Sequence, residues 1–151
     1  MTTARNWTPA SALTAIVALV CVALVGAQPG ADDVQKIAAA LKMGDSVKAR
    51  KLAEGYAKKA DGVEEAMDLL TEKNALPQGR GYTAAAVGLI AEVMAPKKDV
   101  GRKSRNEWIS SAINMQQAGI ALENAKMPGD IKAAATRLNK ACVACHAEWR
   151  K

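Results

Sequence analysis

The sequence predicts an all-α protein, an antiparallel four-helix bundle with an extra N-terminal helical hairpin, and three observations predict it. Pro77 with Gly79 and Gly81, Pro96 with Gly101, and Pro128 with Gly129 cut the chain into segments that each carry helical periodicity. Half of the residues are apolar, yet Phe is absent and aromatics make up only 3%. A core built from such small side chains suits close-packed helices better than sheet. Short connections between long amphipathic segments favour up-and-down packing, and 151 residues are enough for one core.

Residues 1–27 are expected to be a leader outside the fold. Arg5 is the single charge in it, Ala10 to Val25 is almost wholly apolar, and Val25-Gly26-Ala27 supplies the small residue before a signal-peptide cut. The apolar run is shorter than the ~20 residues of a membrane span, so retention as an anchor is the second choice. Cys21 follows Val20 where a lipid attachment site would want a small residue. The mature chain, 28–151, is read as one exported, periplasmic domain that is not stably inserted in a membrane. Cleavage removes Arg5 alone among the charges, so its net charge is one below the +6 of the whole chain. Charge of that size suits steering toward an acidic partner protein, although scattered positive charge often serves solubility alone. No basic motif interleaved with aromatics suggests a nucleic-acid partner.

The first element, 31–60, reads as a helical hairpin. Its apolar positions are Val34, Ile37, Ala38 and Leu41, then Val47, Leu52 and Tyr56, with a break at Gly44-Asp45. Four helices follow across 62–151, near 62–75, 82–95, 105–126 and 130–150. Asp61-Gly-Val-Glu64 and Ser104-Arg-Asn-Glu107 have the capping-box pattern, and Asp130 is a candidate N-cap for the last helix. Trp108, Ala112, Met115, Gly119 and Leu122 form a stripe on the third of these, widened by Ile109, Ile113 and Ile120. The last helix repeats it with Ile131, Ala135, Leu138, Cys142, Cys145 and Trp149, so both cysteines are expected to face the bundle. The basic stretch Lys97 to Lys103 falls in a loop, either a solvated turn or a partner-docking patch.

The chemistry sits in the last ten residues. Cys142-Val143-Ala144-Cys145-His146 is the attachment signature of c-type haem. On a helix, positions i, i+3 and i+4 share one face, so two thiols can each reach a porphyrin vinyl group while the imidazole turns to the iron. A Cys142–Cys145 disulfide is an alternative in an oxidising compartment. A thioredoxin-like pair would sit at a helix start in a fold with strands. Zinc would need a fourth ligand, an acid, because His146 is the only histidine in the chain. A lone histidine on an apolar face is usually structural; two cysteines at these offsets shift the balance to haem.

Cys142-Val-Ala-Cys-His-Ala-Glu-Trp-Arg150, at the extreme C-terminus on a fourth helix, resembles the class II c-type cytochromes, the cytochrome c-prime and related low-spin group. The resemblance covers roughly 62–151. It implies a four-helix bundle with one covalent haem c and its iron, thioether bonds at Cys142 and Cys145, His146 as the proximal iron ligand, and Arg150 as the basic residue on the proximal side. Trp149 stands where the family more often has Tyr or Phe. The family's distal position lies on the first bundle helix and is either a Met or a non-ligating apolar residue. Met67 is the candidate, on a face with Val63 and Leu70; Met43, Met94 and Met115 compete. A Met on a helical stripe is more often core filler.

The leading function implied is single-electron transfer with a redox partner protein, for which no catalytic acid or base is needed and no enzyme activity is expected. The alternative is a five-coordinate haem protein that binds a small gas such as nitric oxide. A peroxidase would need a distal acid–base residue. A homodimer is a further implication of the family.

Overall fold

The computed structural model describes residues 30–71 and 80–149, and these are all-helical, with six helices and no strand among them. The leader with Cys21, the stretch 72–75, the Pro77-Gly79 break and Arg150 lie outside the described residues.

Helices α1 (Ala31–Lys42) and α2 (Ser46–Ala57) form the expected hairpin. Its turn follows from two residues. Gly44 adopts φ +75°, and the N–H groups of Gly44 and Asp45 close back on the carbonyls of Leu41 and Ala40, which satisfies the free carbonyls of α1 in a Schellman motif. Asp45 then caps α2 by accepting from the Lys48 N–H at 2.9 Å. The buried face of α1 is Val34, Ile37 and Ala40, whereas that of α2 is Ala49, Ala53 and Tyr56. Val47, expected in the core, is 80% exposed: Ala49 and Ala53, together with Tyr56, form the face on which α2 packs.

Helix α3 (Glu64–Thr71) is shorter at its start than predicted. The first helical bond runs from the Met67 N–H to the Val63 carbonyl, so Asp61 lies too far upstream to occupy the N-cap. Helix α4 (Arg80–Val93) is apolar on every side and buried almost throughout from Gly81 to Ala91, as a helix without a polar face must be. It packs on α1, α2, α3 and α5.

Helix α5 (Arg105–Asn124) opens with the predicted capping box, Ser104 and Glu107 each accepting from the other's end of the turn. It runs antiparallel to α4. Glu123 at its end accepts from the Gly81 N–H, and Trp108 at its start donates to the Ala91 carbonyl at 2.6 Å. Backbones meet closely here: a Cβ on Gly119 would collide with the Gly81 carbonyl, and one on Gly88 would lie 2.9 Å from the Ala112 carbonyl. Glu92 ties three helices together, accepting from Arg50 of α2 at 2.9 Å and Gln116 of α5 at 2.7 Å.

Helix α6 (Pro128–Trp149) begins two residues before Asp130, with Pro128 in the first turn, where its missing N–H costs nothing. Asp130 is therefore a first-turn acid rather than the cap. Among the described helices α6 packs only on α5. Its seam is correspondingly narrow: Ala134 is buried and Leu138, Ala141 and Cys142 are half-buried against the core, while Ile131, expected inside, is 42% exposed and Ala135 is exposed too. Ile113 of α5 is likewise at the surface. The expected first and last members of the bundle, α3 and α6, make no close backbone approach.

Candidate functional site

The last three turns of α6 bring Cys142, Cys145 and His146 onto one side of the helix, each half-buried. The two sulfurs are not joined to each other. Burial pushes both thiols above their ordinary range; at Cys142 a backbone hydrogen bond offsets part of this, and at Cys145 the neighbouring sulfur adds to it. Both are therefore protonated thiols at neutral pH.

Cys145, His146 and Trp149 form one wall of a cavity of about 360 Å³, within the range of about 300–1,000 Å³ of ligand sites. Trp108 of α5 lines it as well. The opposite wall is α3, which contributes Met67 together with Val63, Glu64 and Asp68. Thus the predicted distal residue and the predicted proximal one face a common space. The competing methionines do not: Met43 is 69% exposed, Met115 is buried in the core, and neither these nor Met94 lines the cavity. Cys142 is packed against the core beside that wall. Arg150 lies outside the described residues.

The two indoles differ in one respect. They meet edge to face at 5.1 Å between centroids, but whereas the Trp108 N–H is satisfied by Ala91, the Trp149 N–H is buried without a hydrogen-bond partner. A buried donor left unpaired costs roughly 1–3 kcal/mol, so a group that enters the cavity with an acceptor would recover it. Lys103 places its ammonium 5.4 Å from the centroid of the Trp149 ring, within cation–π reach.

These features fit a covalently held porphyrin: two protonated thiols and an imidazole on one face, an adjoining cavity lined by Val63, Trp108 and Trp149 with Glu64 and Asp68 on the α3 side, a thioether in that lining, and an unpaired buried donor. Among the described residues, no three His, Cys, Asp or Glu side chains converge to hold a metal ion. Trp108, Glu64 and Asp68 were not singled out as site residues by the sequence. Trp108 was visible only as part of an apolar stripe, Glu64 was read as the acid of a capping box, and Asp68 carries no pattern of its own.

No protein-family model, curated protein or solved structure matches the chain. No described helix is long and apolar enough to cross a membrane.

Proposed function

We propose that the chain is an exported class II-like cytochrome c that holds one haem between α3 and α6 and transfers single electrons. The observation that carries this reading is the shared cavity of Met67 and His146, with Cys145 beside it. Cys142 and Cys145 would hold the haem through thioether links to its two vinyl groups, each vinyl group taking up the S–H proton, so attachment would need no further reactant. His146 and Met67 would hold the iron through an imidazole nitrogen and a thioether sulfur, a donor pair that would favour low-spin iron and raise its potential. In this reading α3, α4, α5 and α6 are the four-helix bundle, closed on one side by the cofactor instead of by helix contact. Haem supplies the reversible one-electron chemistry; the protein fixes its ligands and limits water around it.

The test is expression with the bacterial export and haem-ligation machinery. The expected product has the mass of the polypeptide plus one haem, keeps its colour on denaturation, and shows a low-spin spectrum that Met67→Ala converts to high-spin. A bare polypeptide mass would refute haem attachment. A high-spin wild type that binds carbon monoxide rapidly would replace electron transfer with gas binding.

A further inference from the structure

We infer that the loop between α4 and α5 is the docking surface for an acidic electron-transfer protein, which exchanges electrons across the rim of the cavity; this rests on the haem reading above. The loop is not a loose solvated turn. Val100 and Lys103 exchange both backbone hydrogen bonds, at 3.0 and 3.1 Å, around Gly101 at φ +64°, and Asp99 accepts from the Arg105 N–H at 2.7 Å. That bond turns the loop's one carboxylate toward the start of α5. Lys97, Lys98, Arg102 and Arg105 are left exposed around it.

The loop's position gives this charge its meaning. Lys103 stands over the Trp149 ring, and Trp149 is a wall of the cavity three residues from His146. The other wall carries the exposed acids Glu64 and Asp68. Lys103 therefore puts positive charge beside the Trp149 wall, Lys97, Lys98 and Arg102 add to it from the same loop, and the α3 side of the cavity is acidic. An acidic partner is drawn to the loop side and repelled by the α3 side, which fixes its orientation as well as speeding its approach.

Stopped-flow oxidation of the reduced holoprotein by ferricyanide tests this. One electron passes to give ferrocyanide, and no bond forms or breaks. At an ionic strength of 0.1 M the screening length is about 10 Å, so local charge dominates. Two variants each lose three positive charges: Lys97, Lys98 and Arg102 to Gln in the loop (the rim variant), or Lys48, Lys51 and Lys58 to Gln on and just after α2, a helix that contacts neither α5 nor α6. The rim variant is expected to react at least about threefold more slowly and the other to change little, by the scale of electrostatic steering. With the cationic oxidant tris(phenanthroline)cobalt(III) the rim variant becomes the faster. With reduced acidic flavodoxin as donor, the rim variant is again slower. Equal rates for the two variants, or slowing with ferricyanide but not with flavodoxin, would overturn the docking surface. So would rim-dependent binding to phosphatidylglycerol vesicles without any effect on flavodoxin, which would make the partner a lipid surface. Haem content, checked by mass in every variant, separates failure of this inference from failure of haem attachment.

Discussion

Helix α5 takes part in two contacts of opposite character. Toward α4 it presents Ala112, Met115, Ala118 and Gly119, all buried, and the two backbones approach until no side chain fits between Gly119 and Gly81. Near its start, beside α6 and opposite α3, it presents Trp108 to a cavity of about 360 Å³. The seam is closed by the chain itself; the cleft is left for something else to close. Helices separated by a gap forgo the dispersion and burial that α4 and α5 gain, so a gap lined with chemistry-bearing residues reads as a site.

The largest expected effect breaks the seam. Gly119→Ala gains about 1 kcal/mol of helix propensity, but its Cβ meets backbone atoms of α4 that no rotamer change can move aside. The net result is a destabilisation of about 2 kcal/mol or more, read as a lower urea midpoint at unchanged slope. Gly55→Ala on α2 is the control, since nothing lies within 4 Å of the new methyl. It should stabilise by up to about 1 kcal/mol. If both substitutions shifted the midpoint alike, close backbone packing would not distinguish the seam.

Next in size is Trp108→Phe, which leaves the Ala91 carbonyl without its donor at the end of α4 and should cost roughly 1–2 kcal/mol. Acid titration probes the same helices. Burial raises the Glu92 carboxyl, but the hydrogen bonds from Gln116 and Arg50 and the charge of Arg50 outweigh it and hold the group below the usual carboxylate range. A carboxyl depressed on folding contributes stability that is present above its unfolded pKa and lost as pH falls through the folded one. Thermal melts from about pH 5 downward should therefore show an acid limb that Glu92→Gln flattens. Parallel limbs in the two proteins would take Glu92 out of the account.

The smallest effect is expected on the cleft side. Trp149→Phe removes an N–H that has no partner, which relieves a cost of roughly 1–3 kcal/mol. The smaller ring gives up packing of similar size, so the stability of the polypeptide alone should change by less than about 1 kcal/mol. A loss as large as that of Trp108→Phe would mean that the Trp149 N–H is already satisfied.

Much of this fold was legible because its punctuation is chemical. Gly44 and Asp45 encode the hairpin turn, Ser104 and Glu107 encode the start of α5, and all six helices lie near their predicted spans. Patterning did less well on α6. A heptad stripe records which residues are apolar, not how many helices surround them, and with α5 as its one neighbour among the described helices α6 buries Ala134 while Ile131 and Ala135 face outward. Asp61 failed as a cap because Val63 supplies the first helical carbonyl. Met67, singled out by the family resemblance together with its face beside Val63 and Leu70, lines the cavity. The approach of Trp108 and Lys103 to Trp149 was not legible, because it joins residues 41 and 46 positions apart in sequence through the antiparallel return of α6.

The burial of α4 on all sides changes the standing of the hairpin that precedes it. Val34, Ile37, Ala49, Ala53 and Tyr56 belong to the same core as Val87 and Ile90, so α1 and α2 are the wall of that core and not an appendage. A shortened chain starting near residue 62 would bare this greasy flank of α4 to water, and such truncated molecules should clump together rather than survive as a smaller version of the protein.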